Sequence, residues 1–156
     1  EEVCKITSLL QGYTAAPASC VSRTAIISLD EETPWLLVTD QIEDGGKHLW
    51  TNSWLIPAST PLTKSGNGWL AVLDSGLFLG IAVMSPTRLE LHDESRFWCP
   101  SYGCKLPARW LRFSAASVDE TRVFAFLVSR DVPRVPKIEI QDGEVELVVD
   151  QVSKKA

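Results

Sequence analysis

Pro34-Trp35-Leu36-Leu37-Val38-Thr39-Asp40-Gln41-Ile42-Glu43-Asp44-Gly45-Gly46-Lys47-His48-Leu49-Trp50-Thr51-Asn52-Ser53-Trp54-Leu55-Ile56-Pro57 is the stretch whose reading decides the fold. Trp35 to Ile42 is rich in aromatic, branched and other apolar side chains, and a proline precedes it. Such a run reads as a strand, because these side chains fit a pleated surface. Asp44-Gly45-Gly46 ends it, and a short turn fits Glu43 to Gly46, since glycine supplies positive φ. Lys47 to Ile56 then resumes as a second strand. A period of two places His48, Trp50, Asn52 and Trp54 on one of its faces.

The same pattern continues outward in both directions. Upstream, Ile6 to Leu10 and Arg23 to Leu29 read as strands, the second ending at the acidic turn Asp30-Glu31-Glu32-Thr33-Pro34. Downstream, Pro57 to Gly68 reads as a loop. Trp69 to Leu73 and Leu77 to Val83 form a hairpin across Asp74-Ser75-Gly76. Thr87 to Asp93 alternates, and Asp93 to Pro107 reads as a second loop, rich in Trp, Tyr, Cys and Pro. Arg109 to Ala115 alternates again, with Trp110, Arg112 and Ser114 on one side. Arg122 to Val128 is apolar, Val132 to Pro136 is extended, and Ile138–Ile140 and Val145–Val149 close around Asp142-Gly143. No segment of helical length keeps a period of 3.6. The expectation is an all-β chain: an antiparallel β-sandwich of about ten to twelve short strands. Several strands are apolar on both faces, as in the middle of packed sheets. No linker or internal repeat divides residues 1–156, so one sandwich domain is expected.

Composition narrows the classes. At 156 residues, 45% hydrophobic and 22% charged, the chain has a globular composition rather than a disordered one. No apolar run approaches the roughly 20 residues of a membrane helix. A net charge of -5 argues against nucleic acid, whose phosphates call for clustered Lys and Arg. Four cysteines are too few for a disulfide scaffold. Cys99 and Cys104 are close enough, across turn residues, for a loop disulfide, whereas free thiols suit the same sequence. Cys4 and Cys20 could flank a hairpin. Zinc would need a second tight pair of ligands, so no metal or cofactor is expected.

Nucleophile motifs are absent: there is no Gly-x-Ser-x-Gly and no Ser-x-x-Lys. Gly45-Gly46-Lys47 lacks the spacing of a phosphate loop. His48 and His92 alternate with apolar residues and read as structural or exposed. The acidic clusters Asp30-Glu31-Glu32 and Asp40, Glu43, Asp44 read as solvated turns. Six Trp against one Met stand out. Four of the six are expected in the core. An exposed ring beside an amide or guanidinium also suits a sugar, and Trp50, Asn52, Trp54, Tyr102, Arg109 and Arg112 are the candidate substrate-binding residues.

The stretch from Trp35 to Pro57 also resembles the C-terminal β-sandwich of heparinase II/III-like polysaccharide lyases. There a strand of the type W-L-V-x-D-x-x-E is followed by G-x-x-H and a strand ending W/F-H-L. Gln11-Gly12-Tyr13 with Ser22-Arg23-Thr24-Ala25-Ile26-Ile27 is similar to the family's D-G-Y and H-R-R-x-V-x-F passage. Ser101-Tyr102-Gly103-Cys104-Lys105-Leu106-Pro107-Ala108 is similar to its S-x-x-Y-G-x-K-x-P-A segment. The resemblance covers about residues 11 to 130, and the order of the motifs carries it. Leu10-Gln11 and Ser22-Arg23-Thr24 depart from the family's His-Asp and His-Arg-Arg, so no role of those histidines carries over.

The resemblance implies β-elimination on an acidic polysaccharide such as a glycosaminoglycan or alginate. A base takes the C5 proton of a uronic acid, a neutralised carboxylate stabilises the enolate, and the 4-linked oxygen leaves protonated. The family's catalytic Tyr, His and Asn belong largely to an upstream helical toroid, which residues 1–156 do not contain. The expected partners are thus an acidic polysaccharide and an upstream catalytic domain of the same polypeptide. The sandwich itself is expected to be non-catalytic and periplasmic or secreted. A stand-alone carbohydrate-binding module and a protein-contact sandwich are the alternatives, and fold analogy does not separate them.

Overall fold

A computed structural model of the chain describes residues 3–11, 20–29, 33–43, 48–66, 68–117, 120–141 and 144–148. Among them are twelve strands: β1 (Val3–Gln11), β2 (Cys20–Ser28), β3 (Trp35–Glu43), β4 (His48–Pro57), β5 (Thr63–Ser65), β6 (Gly68–Val72), β7 (Phe78–Met84), β8 (Glu90–Trp98), β9 (Leu106–Ser117), β10 (Glu120–Ser129), β11 (Lys137–Gln141) and β12 (Glu144–Val148). They form a seven-stranded sheet in the order β1-β2-β3-β10-β7-β6-β5, a three-stranded sheet β4-β9-β8, and the hairpin β11-β12. The ladders are antiparallel. The fold is all-β and sandwich-like, as the alternation requires.

The two larger sheets face each other. Val38, Leu79, Ile81 and Phe124 of the seven-stranded sheet meet Ile56, Leu111 and Phe113 of the three-stranded one. Trp54 lies 5.5 Å from Phe124 and 4.7 Å from Phe126, and Trp69 meets Phe113 edge-on at 5.4 Å. Such tilted ring pairs add to the area that burial removes from water. The opposite parity of β3, β7 and β10 supplies Leu37, Ala82, Val123 and Ala125, which Ile138, Val145 and Leu147 of the C-terminal hairpin cover. That is why these central strands are apolar on both faces: each is covered twice.

Gly80 makes the second cover possible. A Cβ there would lie 1.9 Å from the carbonyl oxygen of Arg134. Only glycine lets the segment leading into β11 run that close. The hairpin at Asp74-Ser75-Gly76 forms as expected, with Gly76 at φ 80° and its N–H donating to the carbonyl of Leu73 at 2.8 Å.

Two local expectations change, and one pair of strands adjacent in sequence lies in different sheets. The strands on either side of Gly45-Gly46 do not pair with each other: β3 pairs with β2 and β10, whereas β4 pairs with β9 in the other sheet. The passage between them changes sheets, and residues 44–47 lie outside the described residues. The second loop is also shorter than expected, because β8 extends through Phe97 and Trp98, which pair with Pro107 and Leu106 of β9. The Pro57 to Gly68 passage carries the short strand β5.

Candidate functional site

Register builds a polar layer inside an apolar sandwich. Arg23 and Arg122 are both opposite Asp40, so Arg23, Asp40 and Arg122 form one row across β2, β3 and β10. The row faces inward by the same parity as Val38 and Phe124. Arg23 donates from Nε and Nη2 to the two carboxylate oxygens of Asp40, at 2.6 and 2.7 Å. This forked pairing is the strong arrangement of guanidinium on carboxylate. Asn52 arrives from β4 on the opposite sheet and donates through Nδ2 to Asp40. Its Oδ1 accepts from Arg122 Nη1 at 3.0 Å, and the same nitrogen donates to the carbonyl of Trp50 at 3.1 Å. Arg122 Nε donates to Glu120, whose other oxygen accepts from Thr87 Oγ1 at 2.6 Å.

Two guanidinium and two carboxylate charges balance in this layer. Asp40, Arg122 and Glu120 have side chains 1%, 0% and 2% exposed, while Arg23 is 36% exposed and is the layer's contact with water. The hydrogen bond to Asp40 raises the Arg23 pKa above its ordinary value, against the opposing effect of partial burial. Arg23 also stands over the Trp54 ring at 5.5 Å. A buried ionic layer of this kind contributes direction more than net energy. With Glu43 and Asp44, Asp40 reads as part of a solvated turn; the structure buries it instead. The signal was its parity with Leu36, Val38 and Ile42. Nothing in the sequence pattern singled out Arg122 and Glu120 as its neighbours.

The six candidate substrate-binding residues do not converge. Asn52 is buried in the polar layer, and Trp54 packs between the sheets. Trp50, half-buried, shares their face of β4. Arg109 pairs with Asp93 and donates to the carbonyl of Thr60 at 3.3 Å. That bond to Asp93 raises the Arg109 pKa. Tyr102 stands in solvent on the β8–β9 turn. Arg112 lies on the outer face of the three-stranded sheet. Cys99 and Cys104 stand as free thiols at the same turn. Cys4 pairs in register with Ile27 and Cys20 with Gln11, at opposite ends of the β1–β2 hairpin. Trp54 and Trp69 fill the space between the sheets, Trp35 packs on the other side, and Trp98 is exposed.

The outer face of β4-β9-β8 holds a second constellation. Trp110 lies between two guanidinium groups, with Arg96 at 5.1 Å and Arg112 at 4.9 Å from its ring centre. Both arginines reach Glu94, opposite Trp110 in the ladder. Partial loss of water would raise the Glu94 pKa, but the hydrogen bond from Arg96 and the charges of Arg112 and Arg96 outweigh it and hold the carboxyl below its ordinary value. Beside this clip lies a hollow of about 490 Å³ lined by Leu55, Ile56, Pro57, Trp98, Leu106, Pro107 and Ala108. His92 stays on the surface, 3.7 Å from Glu90. Among the described residues no group of three His, Cys, Asp or Glu side chains could hold a metal ion. No helix among them is long and apolar enough to cross a membrane.

Solved structures share this arrangement of strands. Part of heparan sulfate lyase HepC from Pedobacter heparinus has this fold. The match covers 94% of this chain and 25% of HepC, with a TM-score of 0.65 and 18% identity. A HepC mutant gives 0.67 over 94% of this chain, at 17% identity and 26% of its own length. A heparinase III gene product matches 92% of this chain and 27% of its own, with a TM-score of 0.60 and 11% identity. The chain thus spans about a quarter of the length of the solved lyases it matches. No protein-family model and no curated protein sequence matches it.

Proposed function

We propose that the chain is the β-sandwich domain, C-terminal in position, of a heparinase II/III-like polysaccharide lyase. In this reading residues 1–156 form one domain that supports the wall of a substrate cleft and does no chemistry alone. The whole polypeptide would cleave a uronic-acid-containing polysaccharide by β-elimination, in the periplasm or outside the cell. One observation carries the reading: the motifs around Trp35–Pro57 resemble this family, and the solved structures that share the fold over 94% of the chain carry lyase names.

The polar layer supports the non-catalytic part of the reading. A general base needs a free lone pair within reach of substrate. Asp40 accepts on both oxygens and is buried, and Glu120 does the same. The binding-module alternative asks for a row of exposed rings: Trp50 and Trp54 are at least half covered, whereas Phe97, Trp98 and Tyr102 are exposed toward the β8–β9 turn. The test is the length of the native polypeptide, by immunoblot of source cells, followed by a lyase assay that follows the conjugated double bond of the unsaturated uronate. A product several times longer, active on an acidic polysaccharide, is expected. A native product of this chain's length would sink the reading.

A further inference from the structure

The β8–β9 hairpin projects from the packed sheets. Every residue from Ser95 to Gly103, and from Lys105 to Pro107, is exposed. The last ladder pair is Trp98 with Leu106, and the Cys104 N–H closes the turn by donating to the carbonyl of Ser101 at 3.1 Å. Neighbours on a strand face opposite ways, so Phe97 and Trp98, 58% and 51% exposed, arm both faces of the tip. Leu106 stands beside Trp98, Lys105 Nζ sits 4.0 Å above the Phe97 ring, and Tyr102 stands in solvent at the apex. Large apolar groups gathered in the open mark a contact surface.

The composition of the tip selects its partner. Phe97 to Cys104 carries no charged side chain, and charge resumes on either side at Arg96 and Lys105. A sugar needs one ring face with amides or carboxylates beside it for the hydroxyls. From Ser95 to Ala108 there is no Asp, Glu, Asn or Gln, and Arg96 is turned to Glu94. A flat partner would also cover only one of the two armed faces. The headgroup layer of a bilayer surrounds both. Trp and Tyr favour that layer, because each joins an apolar body to a polar tip. Lysine lays its stem on apolar surface and keeps its ammonium at the phosphates. Among the described residues Lys105 has no carboxylate partner, so its charge is open to one. The chain's net charge of -5 works against a strongly anionic surface, which leaves zwitterionic headgroups as the match. β8 is an edge strand, so its outer backbone groups need water. That limits entry to the headgroup layer and keeps the hairpin out of the hydrocarbon.

We infer that the β8–β9 hairpin is a lipid-surface anchor: Phe97, Trp98, Tyr102 and Leu106 enter the headgroup layer of a zwitterionic bilayer, and Lys105 meets its phosphates. The inference goes beyond the lyase reading and does not rest on it.

The test is flotation of the full native polypeptide with phosphatidylcholine vesicles. Binding that survives high salt is expected. Phe97→Ser combined with Trp98→Ser should lower the bound fraction several-fold. Both side chains are exposed, so the urea midpoint should hold. Leu49→Ser, at the far end of β4 and just as open, should change nothing. Phosphatidylcholine brominated near the headgroup should quench part of the tryptophan emission, and Trp98→Phe should float normally with most of that quenching lost. No flotation, flotation that the double variant retains, or flotation without quenching each overturns the inference. Flotation only after the sandwich is cut free identifies a socket in the rest of the polypeptide and overturns it. Retention on immobilised heparin that the double variant loses, in a parent that does not float, identifies a glycan platform and overturns it too. No arm reads polypeptide length or uronate cleavage, so the lyase reading is tested separately.

Discussion

Removing Arg23 tests whether the polar layer locks the two sheets. Arg23→Met keeps the length of the side chain and deletes both bonds to Asp40. The carboxylate left behind is 1% exposed and keeps only the Asn52 amide. Breaking a buried pair from one side costs about 3–5 kcal/mol. Arg23 is itself 36% exposed, so part of its charge is already in water and the lower end, about 3 kcal/mol, applies. Asp40→Leu removes the charge and strands the Asn52 donor, for about 1–3 kcal/mol. The double substitution leaves no unpaired buried charge behind, since Arg122 keeps Glu120, so its cost falls short of the sum of the singles by about 1–3 kcal/mol. Urea unfolding with an unchanged slope is the assay. Additive costs, or an Arg23→Met cost within the ~0.5 kcal/mol typical of a surface position, would refute the reasoning.

Gly80→Ala places a methyl group against the Arg134 carbonyl and should cost about 1–3 kcal/mol, read as a lower urea midpoint with faster amide exchange in β11 and β12. Unchanged exchange there would mean that the hairpin cover does not depend on this close approach. Glu94 has a lowered pKa, so its contribution is present above the ordinary value of 4.5 and is lost as pH falls through the lowered one. The stability difference between the parent and Glu94→Gln should therefore shrink in acid, measured as urea midpoints at neutral pH and below the carboxylate range. Cys4 and Cys99 are exposed and Cys104 is half-buried, so thiol titration of the native chain should modify the first two faster, as peptide mapping would check.

Much of the fold is legible because its signal is local. The runs Trp35–Ile42 and Arg122–Val128 announce central strands by being apolar at both parities, and the turn at Asp74-Ser75-Gly76 needs only a glycine that accepts positive φ. Pairing is not local. Gly45-Gly46 marks a reversal in the sequence, but not whether the next strand returns to its neighbour or crosses to the opposite sheet. Asp93 to Pro107 reads as a loop because it is rich in Trp, Tyr, Cys and Pro, yet Glu94 and Arg96 belong to β8. Their charges are tolerated within a strand because they face out and neutralise one another around Trp110. The candidate site suffered from the same limit. Parity placed Trp50, Asn52 and Trp54 on one face correctly, but parity does not say which face is inward, and this one faces the seven-stranded sheet.

That inward placement bears on what the molecule can do. Apolar packing between sheets is non-directional and tolerates sliding; hydrogen bonds from Asn52 to Asp40 and from Arg122 to Asn52 do not. One amide thus pins β4 against β3 and β10 at a single register, and the position of the outer face follows from it, since Asn52 and Leu55 are three residues apart on one strand. The carboxylates that might have served chemistry are committed to such positioning. Asp40 and Glu120 are enclosed, Asp93 is held by Arg109, and Glu94 is held by Arg96 and Arg112 with its proton affinity reduced. A carboxylate whose pKa is driven down is a poorer base at neutral pH than an unpaired one. Asp40, Glu120, Asp93 and Glu94 are thus committed to pairing, which agrees with the proposed role of a supporting wall.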